Sequence, residues 1–396
     1  MKIDIALVSE QILANLIPIL MDPPDRVVLV CTAEMAKRGL CQRLRRLIEQ
    51  RGIAVEIKQD APDVGFRPIQ DFALELASAL EDADPHAEIR LNATGGTKLM
   101  SLGFVEVFRG IASRILYTDT AHRRIELLPD AQGAIADPEP MRDVLGVKDY
   151  LAAQGFRYQR ACSDDPAWQG RAAARKALSK YLGREAKNEN LQAWFGTINY
   201  LVDQALERVP GTYEERLANP SQRLPNPARG IWAQAMAEVA RAGLIDWQGG
   251  AAAFVFADAE AAQFLRGGWL EEYAWHIVRD AGVHDVRMGV TGEWEGPARN
   301  TNEFDVLACH LNQLLVLECK TGGFKEGNDN EVAYKVDSLS QDVRGLFGQT
   351  WLLAARQPTP VLVDRARQAR FRIIGPSELG SLRELVRQWT GGPPGR

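Results

Sequence analysis

Cysteine and histidine are scarce in this chain of 396 residues, with five of each. Cys31, Cys41, Cys162, Cys309 and Cys319 are odd in number and widely spaced. That excludes a disulfide framework and a zinc site, and reads as reduced thiols of a cytoplasmic protein. The scattered histidines form no metal-ligand pattern. No apolar run reaches the roughly 20 residues that a membrane-spanning helix needs, so no membrane partner is expected. The opening Met1-Lys2-Ile3-Asp4-Ile5-Ala6-Leu7 reads as a strand without the cleavage pattern of a signal peptide. An excess of positive charge is also missing. The net charge is -5, which argues against a constitutive nucleic-acid coat. Local charge is another matter. Arg356 to Arg396 holds eight arginines against Asp364, Glu378 and Glu384. Such a lobe suits phosphate-backbone contacts, or is simply a solvated helical surface.

What is present is an ordinary mixture, 46% hydrophobic and 25% charged, long enough for two or three domains. Over the first 130 or so residues, strand and helix patterns alternate. Strands are expected at Ile5–Val8, Val27–Val30, Ile53–Ile57, Ile89–Leu91 and Arg114–Tyr117. Helices are expected from Gln11, over Ala33–Gln50, over Ile69–Leu80 and over Lys98–Phe108. This alternation predicts a parallel sheet with helices on both faces. Ligands of such sheets bind outside the carboxyl ends of the strands.

The most unusual loop lies at such an end: Asn92-Ala93-Thr94-Gly95-Gly96-Thr97-Lys98. Its glycines permit a tight turn with exposed N–H groups, and the helix that follows favours an anion at its start. The threonine hydroxyls and the Lys98 charge add to that. The loop has neither the Walker nor the Rossmann glycine spacing, and a plain strand–helix turn is the alternative.

The middle of the chain reads as mostly helical, from Trp168 to about Glu207 and from Ile231 to Ala242. A loop at Pro220, Pro225 and Pro227 separates the two. The turn into Ala253-Phe254-Val255-Phe256 suggests a small winged-helix-like connector. Trp232–Ala242 carries only Arg241 as a cation, so packing, not DNA reading, is its expected role.

The C-terminal third contains Asn302-Glu303-Phe304-Asp305-Val306 and then Leu317-Glu318-Cys319-Lys320. They read as two strands of a β-hairpin. Glu318 and Lys320 share a face because side chains alternate along a strand. A turn at Leu311-Asn312 sets Asp305 opposite Glu318, and one at Asn312-Gln313 sets it opposite Lys320. Either register leaves all three on one face. Adjacent carboxylates repel unless a cation lies between them, and a hard ion such as magnesium or manganese is the natural occupant. A lysine beside them can orient water or stabilise charge on a phosphate. Beyond the hairpin, a helix is expected from Val332 to Leu339, core strands at Trp351–Ala354 and Phe371–Ile374, and a frayed end from Gly391.

The hairpin resembles the core of the PD-(D/E)xK nuclease superfamily. The resemblance implies Asp305 and Glu318 as metal carboxylates, the Cys319 carbonyl as a further metal ligand and Lys320 as the catalytic lysine. It also implies a glutamate on a preceding helix, for which Glu271 is the first candidate and Glu272 the second. The Thr-Gly-Gly-Thr-Lys turn is similar to the ligand loop of CARF domains, the CRISPR-associated sensors of cyclic oligoadenylates. That similarity implies ligand contacts from Asn92, Thr94, Gly95, Gly96, Thr97 and Lys98, and from Ser9, Gln11 and Thr32 on neighbouring loops. Together the two motifs resemble the CARF–PD-(D/E)xK ancillary nucleases of type III CRISPR systems. The implied architecture is α/β: a Rossmann-like CARF domain over 1–145, a helical connector over 146–262 and a nuclease domain over 263–396. The family further implies a homodimer, cyclic tetra-adenylate as allosteric activator, and Mg2+ or Mn2+-dependent cleavage of DNA, RNA or both. A constitutive nuclease of the restriction or repair type, and a ligand-responsive binding protein with an inactive nuclease core, are the other classes these residues allow.

Overall fold

The structure is a computed structural model. It describes all residues except Tyr213, 297–300, 325–331, 335, 337–342, 344, 346–347 and 392–396. The N-terminal sheet is built from β1 (Lys2–Leu7), β2 (Arg26–Val30), β3 (Ala54–Lys58), β4 (Glu88–Asn92), β5 (Arg114–Asp119), β6 (Arg124–Leu127) and β7 (Glu139–Pro140). Their order is β3-β2-β1-β4-β5-β6-β7. The first five run parallel, as the strand–helix alternation requires, while β6 and β7 add an antiparallel edge that no periodicity announced. The strands are nearly all apolar because both faces are covered. One face packs on α1 (Ile12–Met21) and α3 (Leu40–Glu49), the other on α4 (Phe66–Ala83) and α5 (Lys98–Phe108).

The helix expected over Ala33–Gln50 is two helices, α2 (Ala33–Lys37) and α3. Gly39 takes φ +71 between them, a left-handed turn that ends one helix and redirects the next. That turn brings Cys41 back against Cys31, and the two are joined as a disulfide. This corrects the expectation of five reduced thiols. Spacing alone could not show that the end of β2 and the start of α3 are neighbours. Cys162, Cys309 and Cys319 are free.

The C-terminal sheet has six strands in the order β18-β17-β16-β15-β14-β8. They are β8 (Phe156–Ala161), β14 (Asp285–Trp294), β15 (Thr301–His310), β16 (Gln313–Lys320), β17 (Gln349–Ala354) and β18 (Arg372–Ile374). Strand β8 falls within the 146–262 stretch expected to be connector, yet it pairs antiparallel with β14, so the helical part that follows it is inserted within the sheet. The connector carries α7 (Pro166–Glu185), α8 (Glu189–Ala205) and α9 (Gly230–Arg241). Its small sheet β11-β13-β12 uses Ser221–Arg223, Ala253–Phe256 and Ile245–Trp247. A further helix, α11 (Trp269–Asp280), lies against α7 and the sheet. One buried cluster joins Trp194 and Phe195 of α8, Trp269 and Ala274 of α11, and Val306, Leu315 and Leu353 of the sheet.

A second cluster runs across the two large domains. Ala6 and Leu29 of the N-terminal sheet and Ile12 of α1 join Tyr150, Phe156, Phe304, Leu307 and Val316. The helix expected over Val332–Leu339 lies largely outside the described residues, with Val332–Tyr334 and Val336 helical. Most of the end expected to fray lies outside them too. Among the described residues no helix is long and apolar enough to cross a membrane.

His276 on α11 is 3% exposed, and its Nε2 donates to the Ala172 carbonyl of α7 at 2.9 Å. Burial lowers its pKa from 6.5 to about 4. The unfolded chain therefore binds the proton first as pH falls. Stability contributed by the neutral ring is complete above pH 6.5 and is lost between 6.5 and about 4. The loss expected is about 3 kcal/mol, from 1.36 kcal/mol per pKa unit. Urea unfolding followed by tryptophan fluorescence should show this slope, and His276→Gln should flatten it.

Candidate functional site

The C-terminal hairpin is set by its turn. His310 pairs with Gln313, so Leu311 and Asn312 form a two-residue loop, and both have positive φ (45 and 60). That is the turn whose twist matches a two-stranded ribbon. The pairing continues to Val306 opposite Leu317, and one residue further Asp305 stands opposite Glu318. Of the two registers the sequence allowed, this is the one formed. The Cys319 backbone N–H donates to the Asp305 carboxylate at 2.7 Å, which fixes the aspartate across the strand pair. Glu318 is 8% exposed, and Lys320 at the strand end is half-buried.

Glu271 enters from the first turn of α11. A wide π-type turn over Phe264–Gly268 precedes that helix. The Thr321 hydroxyl, next after Lys320, donates to the Arg266 carbonyl of this turn at 2.5 Å. The end of β16 and the start of α11 are thereby tied together. Burial raises the Glu271 pKa well above the usual carboxylate range, and the charges of Asp305, Glu303, Glu318 and Glu272 raise it further. Glu272 points elsewhere. It is buried on Arg175, with Oε1 2.5 Å from Nη2. Glu303 was not singled out from the sequence. It lies two residues before Asp305, the spacing that returns a strand side chain to the same face.

The donor set fits a hard divalent cation, because carboxylates that raise one another's proton affinity are relieved by one. Among the described residues no three His, Cys, Asp or Glu side chains form a ready metal cage. Two carboxylates and a carbonyl, with water completing the shell, need no such cage. The Cys319 thiol itself is held protonated by burial and by the negative charges of Asp305, Glu271 and Glu318.

A cleft of about 190 Å³ opens at the carboxyl ends of β1, β2 and β4. Ser9, Thr32, Gly96 and Thr97 line it, together with Glu10, Glu34, Met35, Asp63 and Met100. Thr32 and Thr97 cap two helices there, accepting from the Met35 and Met100 N–H groups at 3.3 and 3.2 Å. Other loop residues hold the loop rather than face the cleft. Asn92 is buried and donates to Asn15 Oδ1 and to the Ala14 carbonyl at 3.1 Å. Its own Oδ1 accepts from the Thr94 N–H at 3.0 Å and from the Thr94 hydroxyl at 2.5 Å. Gly95 touches β1: a Cβ there would lie 1.8 Å from the Leu7 carbonyl oxygen. Gly96 takes φ +72. Lys98 is exposed in the first turn of α5, and Gln11 precedes α1, both outside the cleft lining. The acidic lining was not legible, because Glu10, Glu34 and Asp63 belong to no motif.

A parallel α/β sensor fold joined to a carboxylate–lysine hairpin defines a ligand-sensing nuclease. Residues 3–150 match the family model of the Card1 CARF domain, and residues 258–391 match that of the Card1-like endonuclease domain. The chain is an endonuclease with a CARF domain, and it belongs to the CARF-domain ancillary nucleases of type III CRISPR systems. Its fold is similar to that of protein VC1899 from Vibrio cholerae, at TM-score 0.81 and 21% identity over 99% of each chain. It is also similar to Can2 from Sulfobacillus thermosulfidooxidans in complex with cyclic tetra-adenylate. That match has TM-score 0.75 and 24% identity, over 98% of this chain and 97% of that one. A type III CRISPR defence DNA nuclease activated by cyclic oligoadenylate matches at TM-score 0.51 and 19% identity. There 90% of this chain covers 46% of that one. No curated protein matches the chain by sequence.

Gly95→Ala should displace the loop from β1 and lower the stability of the N-terminal domain by about 1–3 kcal/mol, the usual penalty of overpacking. Gly110→Ala, where a Cβ meets nothing within 4 Å, should change neither stability nor ligand affinity. Differential scanning calorimetry of the two variants checks this.

Proposed function

We propose that the protein is a cytoplasmic homodimeric nuclease that a cyclic oligoadenylate, cyclic tetra-adenylate first among them, switches on to cleave DNA, RNA or both. One observation carries this reading. The anion-ready loop and the carboxylate–lysine hairpin occur on one chain, and the tip of that hairpin is bonded to the segment leaving the sensor domain. The Asn312 side chain accepts from the Val144 and Leu145 N–H groups at 3.1 Å and donates to the Arg142 carbonyl at 2.8 Å. Movement of that segment therefore reaches the strands bearing Asp305 and Glu318.

The size of the cleft supports the dimer. At about 190 Å³ it falls below the roughly 300–1,000 Å³ of sites that enclose a drug-sized ligand. Two copies about a two-fold axis present two such clefts to one ring. Leu99 and Leu102, 44% and 61% exposed on α5 beside the loop, supply an apolar face for that contact. The cyclic ligand bound to the related Can2 fold agrees with the reading. Ser9, Thr32, Gly96 and Thr97 meet the ring in the cleft. Lys98, at the rim, meets a phosphate as a point charge, and Asn92, Thr94 and Gly95 keep the loop in shape. Gln11 contributes beside them.

At the nuclease site Asp305, Glu318 and the Cys319 carbonyl would hold Mg2+ or Mn2+, with Glu271 beside them. Such an ion supplies Lewis-acid stabilisation of the phosphate and a lowered pKa for bound water. Lys320 places a positive charge where the phosphorane charge develops. Burial and the neighbouring carboxylates raise the proton affinity of Glu271 in the metal-free protein, and a cation at the site would lower it.

Incubation with single-stranded DNA, plasmid and RNA, with manganese and with or without cyclic tetra-adenylate, tests the whole. Cleavage that is complete without ligand would replace the switch with a constitutive nuclease. Glu318→Ala should abolish cleavage and manganese binding by calorimetry, and leave cyclic tetra-adenylate affinity unchanged. Lys98→Ala should weaken ligand affinity about tenfold or more, since a charge-assisted contact contributes about 1.5–3 kcal/mol. Basal activity should stay the same.

A further inference from the structure

We infer that Arg356 is a substrate-phosphate residue, held by the connector at the edge of the nuclease site. Strand β17 runs parallel to β16 with Ala354 beside Lys320, and the Ala355 N–H donates to the Lys320 carbonyl at 2.9 Å. Arg356 is the next residue, so it leaves the sheet at the end where Lys320 does. Its half-buried guanidinium lies in a slot between two glycines. A Cβ at Gly323, three residues after Lys320, would stand 2.6 Å from Nη1, and one at Gly196 of α8 would stand 3.1 Å from it. Among the described residues no carboxylate pairs with this guanidinium and no hydrogen bond engages it.

A cation in that state is unusual among the described residues, whose other enclosed arginines are engaged by carboxylates or, for Arg123, by Gln313 and two carbonyls. Arg175 has Glu272 and Glu260, Arg266 has Glu215, and Arg287 has Asp164 and Asp285. Among the described residues Arg356 has no such partner, although planar guanidinium recognises carboxylate and phosphate alike. The slot is also made at some cost. Gly196 sits within a helix of 17 residues, where glycine is about 1 kcal/mol less favourable than alanine. An alanine there would crowd the guanidinium. The rest of this helix face is committed to the same end of the sheet. Gln192 accepts from the Gln357 N–H at 3.3 Å, and Asn199 bonds the Thr321 hydroxyl. The connector thus forms one wall of the nuclease site, and Arg356 extends a positive charge from that wall. The ligand class that fits is a phosphodiester backbone, engaged at a phosphate flanking the scissile one. Arg356 therefore binds the strand and takes no part in the chemical step.

This inference rests on the nuclease reading above, and the test separates the two. Labelled single-stranded DNA and RNA oligonucleotides are titrated by fluorescence anisotropy into Glu318→Ala protein, with manganese and cyclic tetra-adenylate, over a range of KCl. Arg356→Gln in that background should weaken binding about tenfold. It should also reduce the slope of log K against log [KCl] by about 0.7, the share of one single-strand phosphate contact. Arg356→Lys should recover most of the slope, and Gly196→Ala should weaken binding by crowding the guanidinium. In otherwise wild-type protein, Arg356→Gln should raise KM with kcat nearly unchanged. Unaltered affinity and slope in Arg356→Gln would overturn the assignment. So would a fall in melting temperature and kcat at constant KM, the mark of a strut. Failure of the Glu318→Ala parent to bind either probe would overturn the nuclease reading together with this one.

Discussion

The molecule depends on one two-residue turn. Leu311 and Asn312 both adopt left-handed backbone, which costs a residue such as leucine about 1–2 kcal/mol. The turn is retained because the hairpin register follows from it. A shift by one residue would put Asp305 opposite Cys319 and every apolar side chain of the strand on the wrong face. Leu314 and Val316 would then leave the core they share with the sensor domain, and Leu315 and Leu317 the one they share with α11. Asn312 is suited to the position twice over. It tolerates the backbone geometry, and its amide bonds three backbone groups of the segment after the sensor sheet. Leu311 is held as well, its N–H donating to Asp143 at 2.5 Å.

From that clamp follows the coupling of the two large domains. The shared core around Tyr150, Phe156 and Phe304 is apolar and closely packed, and packed cores switch between discrete arrangements instead of deforming smoothly. Arg123 strengthens the joint. It reaches from the sensor sheet to the Gln313 side chain at 2.8 Å and to the Trp389 and Thr390 carbonyls of the last helix. A ligand at the carboxyl ends of β1, β2 and β4 thus acts on a body already bonded to the strands that carry Asp305 and Glu318. The ligand can move the equilibrium only by its differential affinity for the two arrangements.

Charge is arranged differently at the two sites. The nuclease end gathers the carboxyl groups of Glu271, Asp305, Glu318 and Glu303, and burial together with these neighbours raises the Glu271 pKa. The sensor cleft has helix N-termini beside Glu10, Glu34 and Asp63. N–H groups there suit phosphate, and the carboxylates suit hydroxyl and amino donors of a nucleoside. Glu10 is also paired with Arg38, which softens its charge toward an anionic ring.

Much of this was legible in the residues, because the decisive signals are local. Strand–helix periodicity, the Thr-Gly-Gly-Thr-Lys turn and the spacing of Asp305, Glu318 and Lys320 each depend on neighbours along the chain. They indicated a parallel sensor sheet, an anion-ready loop and a carboxylate hairpin. The hairpin register stayed open between two turns until the contacts of Asn312 decided it. Features made of residues far apart in sequence were not legible. The Cys31–Cys41 bond required the left-handed break at Gly39. The choice between Glu271 and Glu272 required Arg175, almost a hundred residues earlier, to take one of them. The insertion of the connector inside the nuclease sheet required β8 to find β14, and the slot around Arg356 required glycines on two separate elements. Pairing across such distances is set by packing and charge compensation among surfaces that exist only once the chain has folded, and one-dimensional spacing carries no record of it.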